Sequence, residues 1–248
     1  MLRVDEVVVR FGGVIAVDGL SLEVPLGTVT GLIGPNGSGK TTTFDVITGL
    51  RRPTRGRVTW QDDEITAESP AARARRGIGR TFQRLELFGS LTVRDNVLVA
   101  AEAQGNQRSA GAVTDEVLER LGLTDVAHAP TDVVPTGLAR LVELGRALVR
   151  RPSLLLLDEP GSGLDAQEST ALGDLLQDIA GDGVGVLVVE HDMDLIMRVC
   201  QHIYVLDLGK VIASGTPAEV QGDRLVRQAY LGDPAEGARL TVIPEVTS

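Results

Sequence analysis

The sequence predicts an α/β fold built on a mixed, mostly parallel sheet with helices on both faces. Two observations carry this. Short, continuous aliphatic runs such as "TVTGLIG", "LLLL" and "VGVLVV" suit strands buried on both sides. These runs alternate with segments of helical spacing, as in βαβ units. Composition agrees, because hydrophobic residues make up 43% of the chain and aromatics only 3%, so the core is aliphatic. At 248 residues there is enough chain for one large α/β domain, or a core with a small subdomain.

Each element follows from its own pattern. "VDEVVVRF", "LSLEV" and "TVTGLIG" are β-branched and read as strands, with turns at Gly12-Gly13 and Pro25-Leu26-Gly27. "TTTFDVITGL" reads as a helix ending near Gly49, with Pro53 beyond it. "RVTW" and "GIGRTFQ" are further strands. From about Arg84 the pattern turns helical, with "VRDNVLVAAEAQ" and "AVTDEVLERLGL" separated by "GNQRSAG", expected to be an exposed loop. The α/β alternation then resumes: helix "LARLVELGRALV", strand "LLLL", helix "AQESTALGDLLQDIAG", strand "VGVLVVE", helix "DMDLIMRVC", strands "HIYVLD" and "KVIAS". The expected organisation is a core over 1–83 and 135–232, a helical insert over 84–134 and a tail over 233–248.

Charge and cysteine use narrow the function. A net charge of −10 argues against nucleic-acid binding, which needs a basic patch, and against broad attraction to anionic lipid. The single cysteine, Cys200, excludes an internal disulfide and fits a reducing compartment. The first residues carry no signal-peptide core, and the apolar runs are too short to span a bilayer. The expectation is a soluble cytoplasmic protein that reaches a membrane only through a partner.

Three strand ends carry chemistry. Gly34-Pro35-Asn36-Gly37-Ser38-Gly39-Lys40-Thr41 has the spacing of a phosphate-cradling loop and lies between a strand and a helix. Glycines let the backbone curl its N–H groups around a polyphosphate, Lys40 adds a point charge, and the Thr41 hydroxyl suits a magnesium ion. "LLLLDEP" puts Asp158 and Glu159 at the end of a buried strand, where ligands of open α/β sheets bind. Asp158 suits the metal, and Glu159 suits orientation or deprotonation of an attacking water. His191 follows a third strand, "VGVLVVE"; its imidazole suits a terminal phosphate or a structural bond, and Asp192 beside it reads as a helix N-cap.

With these motifs in order, the chain resembles the nucleotide-binding subunit of an ATP-binding cassette (ABC) transporter over nearly its whole length. The resemblance implies a P-loop NTPase core with an N-terminal antiparallel β subdomain and a helical insert. It implies ATP and Mg2+ as ligands. Phe11 would stack on adenine with Val17 nearby. Gly34, Asn36, Gly37, Ser38, Gly39, Lys40, Thr41 and Thr42 would bind the phosphates. Thr41, Gln83 and Asp158 would hold magnesium, and Glu159, His191 and Gln83 would be catalytic. Asp165 in "GSGLD" matches the D-loop. "TFQRLELFGSLTVRDNVLVA", "RFGGVIAVDGLSLEV" and "RQAYLG" resemble ATPases of branched-chain amino acid-type importers; urea or amide importers and lipid extractors share parts of the pattern. The implied partners are a second cassette subunit and transmembrane permease subunits at the inner face of the membrane. Phe88, Leu91 and Val93 fall where the family receives its permease, or equally in ordinary subdomain core.

One stretch departs from the family. "VVPTGLAR" occupies the signature loop, usually Leu-Ser-Gly-Gly-Gln, which clamps the partner's ATP. Here Pro135, Thr136, Gly137 and Leu138 keep only the second glycine. Pro135 lacks a hydroxyl and a backbone donor. An intact catalytic set beside a degenerate signature favours an unequal partner, a heterodimer over a homodimer. The competing readings are a soluble cassette ATPase of repair or translation, which would carry two cassettes or a long coiled coil, and a catalytically weak regulatory cassette subunit.

Overall fold

A computed structural model describes residues 1–81, 85–103 and 107–231. Two long strands open it, β1 (Leu2–Phe11) and β2 (Val14–Val24), followed by β3 (Val29–Ile33), α1 (Lys40–Thr48), β4 (Arg55–Trp60) and β5 (Asp63–Glu64). Next come α2 (Pro70–Arg75), β6 (Ile78–Arg80), α3 (Val93–Glu102), α4 (Gln107–Arg120), a 3-10 turn at Thr124–Val126 and α5 (Thr136–Leu148). The rest is β7 (Leu154–Asp158), α6 (Ala166–Gly181), β8 (Gly185–Val189), α7 (Met193–Val199), β9 (His202–Asp207), β10 (Lys210–Gly215), α8 (Pro217–Gly222) and α9 (Arg224–Leu231).

Two sheets result. The first is antiparallel, in the order β2-β1-β4-β5; the second has the order β10-β9-β3-β8-β7-β6. In the second, β9-β3-β8-β7-β6 pair in parallel and β10 joins β9 antiparallel. This is the mixed, mostly parallel sheet of an α/β P-loop NTPase. Alternation along each strand divides the core in two. On β7, Leu155 and Leu157 enter one cluster, shared with α3 to α7, while Leu154 and Leu156 enter the other. That second cluster holds Phe44 and Ile47 of α1 together with Leu2, Val4, Leu20 and Trp60 of the antiparallel sheet. One face of the main sheet is therefore covered by helices, and the other by α1 and the antiparallel sheet together.

The structure adds β5, α8 and α9, which the sequence did not predict, and it changes two further expectations. Of the expected loop "GNQRSAG", Gly105 and Asn106 lie outside the described residues, but Gln107–Gly111 form the first turns of α4. The reason is burial one turn apart: Ala110 and Thr114 both face the core, and the Thr114 hydroxyl donates to the Ala110 carbonyl at 2.8 Å. Helix α2 was not expected, although Ser69 caps it and Pro70 occupies its first turn. It carries the buried Arg73, which donates to the Val46 and Ile47 carbonyls at 2.6 and 2.7 Å and so closes the end of α1. Burial lowers the Arg73 pKa, opposed by the nearby Glu68 charge.

Candidate ATP site

The strands β3, β8 and β7 are neighbours and parallel, so their carboxyl ends lie side by side. From β3 the chain passes through Gly34–Gly39 into α1. The glycines are required by space as well as by conformation. Gly34 has φ 150, and a Cβ there would come within 2.0 Å of the Leu206 carbonyl oxygen. Gly39, at φ 111, caps α1, and a Cβ would meet the Ala16 carbonyl at 2.6 Å. Lys40 is buried, and its Nζ donates to the carbonyls of Gly34 and Pro35 at 2.6 and 3.0 Å. The ammonium therefore lies over the loop. The buried Ser38 Oγ has no hydrogen-bond partner among the described residues, a polar atom that a phosphate oxygen would satisfy. Asn36 and Thr41 are exposed and Thr42 half-buried, at the open side of the same loop. The cradle fits a polyphosphate at a helix N-terminus.

At the end of β7, Asp158 is buried, and burial raises its carboxyl pKa, opposed by Arg80. Arg80 Nη2 lies 3.3 Å from Asp158 Oδ2, and Nη1 lies 2.6 Å from Asp45 Oδ1 on α1. The Thr81 hydroxyl accepts the Asp158 amide at 3.3 Å. Sequence reading passed over Arg80; an arginine inside the short strand "GIGR" was the available clue. Asp158 and the Thr41 hydroxyl at the head of α1 are oxygen donors of the kind magnesium takes, with one or two carboxylates and a shell completed by water and phosphate oxygens.

Glu159 follows at φ 52, a left-handed conformation that is strained for a glutamate. Its amide donates to the Val189 carbonyl at 2.8 Å, tying the end of β7 to that of β8. Glu159 Oε1 lies 3.1 Å from His191 Nε2, so two of the three predicted catalytic side chains meet. Between β8 and His191 lies Glu190, a buried carboxylate that was not singled out in the sequence; burial raises its pKa, opposed by hydrogen bonds from the Gly161, His191 and Asp192 amides. Asp192 caps α7 as expected.

The remaining candidates lie farther out. Phe11 is 43% exposed, with the Arg51 guanidinium 4.5 Å from its ring centroid. Val17 is fully buried beneath the loop, and its Cγ2 would lie 3.3 Å from a Cβ on Gly39. It supports the cradle from below and does not line its open side. Gln83 lies outside the described residues. Val93 is core, whereas Phe88 is exposed under the Arg146 guanidinium, 5.2 Å from its ring centroid, and Leu91 is half-buried.

In the signature stretch, Pro135 is the N-cap of α5 and offers no side-chain cap. Pro135 and Thr136 are exposed, but Gly137 is buried against α6 and Leu138 packs partly into the core. A Cβ on Gly137 would come within 2.8 Å of Glu168 Oε1 and 3.0 Å of Leu164 Cδ2. Gly137 thus has a packing reason that the sequence did not reveal. Asp165 accepts the Gln167 and Glu168 amides at 2.8 Å each, and Glu168 accepts the Asp165 amide at 3.0 Å, a capping box on α6.

Similarity to known proteins agrees with this geometry. Residues 17–162 match the ABC transporter family, and 210–236 match the branched-chain amino acid ATP-binding cassette transporter family. The chain is 36% identical over 250 residues to the high-affinity branched-chain amino acid transport ATP-binding protein LivG of Salmonella typhimurium, covering 94% of this chain and 98% of that protein. It is also 36% identical over 225 residues to the lipopolysaccharide export system ATP-binding protein LptB of Acidithiobacillus ferridurans, covering 88% and 91%. A crystal structure of the ADP conformation of an ATP-binding cassette of an ABC transporter superposes with a TM-score of 0.86 at 31% identity, covering 94% and 99%. A family match spanning more than half of the chain, laid over a phosphate cradle and a carboxylate–histidine pair on adjacent strand ends, places this protein in the ABC transporter family as one of its ATP-binding subunits.

Proposed function

We propose that this chain hydrolyses ATP to drive a permease importing branched-chain or other hydrophobic amino acids. The observation that carries the hydrolysis is the 3.1 Å contact between Glu159 and His191 beside the glycine cradle. The cradle amides and Lys40 would bind the phosphates, with Phe11 against the base. Asp158 and Thr41, with Gln83, would hold magnesium, which neutralises charge on the phosphate oxygens. Glu159 would orient and deprotonate the attacking water, and His191 would hold Glu159 and the terminal phosphate in line. Residues 84–134 would act as a helical subdomain that receives the permease. No helix among the described residues is long and apolar enough to cross a membrane, so membrane work at the inner face would pass through that permease.

The transport class is supported by the match of residues 210–236 and by the relatedness to LivG. A lipid-export reading is favoured only by the likeness to LptB. Purifying the chain with its bound permease and assaying leucine uptake in vesicles tests this. ATP-driven leucine uptake supports import, whereas coupling to a lipid substrate instead would replace it.

ABC cassettes work as dimers. The intact catalytic set, set against Pro135 and Leu138 in the signature, supports a heterodimer. The isolated chain should turn over ATP slowly and gain on addition of a second, different cassette subunit. Family-typical turnover by the chain alone would overturn that pairing.

A further inference from the structure

The two neighbours of His191 are each fastened to the segment that follows Glu159. Glu190 is 4% exposed and lies at the end of β8. Its Oε1 accepts the Gly161 amide, its Oε2 accepts the His191 amide at 3.0 Å, and the Asp192 amide also donates to it. Gly161 makes that approach possible, because a Cβ there would lie 2.9 Å from Glu190 Oε1. On the other side, Asp192 Oδ1 accepts the Asp194 and Leu195 amides at 3.0 and 3.1 Å, and Oδ2 accepts the Ser169 hydroxyl of α6 at 2.9 Å. Glu159, Gly161, Glu190, His191 and Asp192 line one open cavity of about 480 Å³.

We propose that Glu190 and Asp192 form a two-point mount that sets the His191 imidazole against Glu159, making them positioning residues for hydrolysis. The proposal rests on the reading of Glu159 and His191 as the hydrolytic pair. A buried carboxylate is costly unless its oxygens are satisfied, and here backbone amides from two loops satisfy it. Those loops carry Glu159 and His191. Glu159 also holds a strained backbone, which persists only where its surroundings over-determine it. With the main chain on both sides of His191 fixed, little but its side-chain torsions remains to be ordered. The phosphate cradle and Lys40 lie on a separate segment, and the hydrogen bonds of Glu190 go to the Gly161, His191 and Asp192 amides and not to them, so nucleotide binding should be independent of the mount.

The test uses the full chain with its permease for turnover, and the full chain alone for ATP binding and NMR. The variants are Glu190→Ala, Glu190→Gln and Asp192→Asn. The chain has three histidines, so the His191 ring resonances are assigned by comparison with His191→Ala. In Glu190→Ala the His191 resonances should move, turnover should fall by about ten- to a hundred-fold, and the KM and ATP affinity should stay within about two-fold. Glu190→Gln keeps one oxygen acceptor and should show a smaller loss of the same kind. Unmoved His191 resonances with wild-type turnover would overturn the proposal. Loss of ATP binding in parallel with turnover would also overturn it, because Glu190 would then support the fold at large. If Glu190→Ala does not fold, Glu190→Gln and Asp192→Asn decide by the same criteria. Failure of the functional reading looks different: the unaltered chain would bind no ATP, whatever the His191 resonances did.

Discussion

Arg80 and Asp158 form an ion pair 3.3 Å long at the edge of the phosphate site, with both side chains almost wholly buried. Removing one partner of such a pair leaves an uncompensated charge and costs about 3–5 kcal/mol. Arg80→Ala should therefore lower the urea midpoint strongly. Arg80→Ala combined with Asp158→Asn should recover part of the loss, since the buried charge in need of a partner is then gone and Asp45, the other partner of Arg80, is reached by water. Additive losses in that double variant would show that the two residues are not coupled.

Glu159→Gln removes the carboxylate while keeping shape and hydrogen-bonding capacity. Turnover should fall by about 10²–10⁴-fold, with ATP binding retained and the ATP-bound dimer accumulating. Size-exclusion chromatography with radiolabelled ATP reads both at once. Lys40→Ala, by contrast, should weaken ATP binding itself.

Gly34→Ala places a methyl group 2.0 Å from the Leu206 carbonyl oxygen at a backbone angle that L-residues avoid. The loop must move or β9 must shift. A stability loss of about 2–4 kcal/mol and loss of ATP binding are expected, measured by denaturation and by nucleotide titration.

Pro135→Ser restores the hydroxyl that the family places in the signature. At the N-cap of α5, serine should add about 1 kcal/mol through an amide bond. A looser unfolded chain should remove roughly 0.4–1 kcal/mol. Thermal stability should therefore barely change. Turnover of the assembled pair should rise about ten-fold, the worth of one hydrogen bond to a charged phosphate. Unchanged turnover would mean that this position does not clamp the partner's nucleotide.

Glu143 tests electrostatics away from the site. It is buried on α5, accepts the Glu86 amide at 2.9 Å and pairs with Arg140 at 3.4 Å. Burial raises its pKa, opposed by the Glu86 amide and by the charges of Arg140 and Arg146. A carboxyl group raised on folding stabilises the native state fully below its unfolded pKa, about 4.3, and loses that contribution as pH rises through the folded value. Relative to Glu143→Gln, the unaltered chain should therefore become less stable as pH rises from about 4 towards neutrality, as melting curves at several pH values would show. A difference independent of pH would refute the assignment.

Much of the site could be read from the sequence because its chemistry is local. A glycine loop that must wrap phosphates needs its residues contiguous, so residues 34–41 announce themselves. Aliphatic runs closed by acids or histidine likewise mark strand ends, and the parallel order β3-β8-β7 brings those ends together. Asp192 was recognisable as a cap because capping is a matter of adjacent residues.

What the sequence determined by itself was therefore the class of fold, the phosphate cradle and the identity of the acid–histidine pair. Tertiary structure alone decided which distant residues hold them. Arg80 reaches Asp158 across 78 positions and Glu190 reaches Gly161 across 29, distances over which no local pattern survives. Gly137 shows the same division. In the chain it reads as what is left of a signature loop. In the fold it is also the place where α5 meets Glu168 and Leu164 of the α6 segment closely enough to crowd out a methyl group. Spacing along a chain encodes which groups share a turn or a strand; burial, and the partner a buried charge requires, arise only when those elements pack.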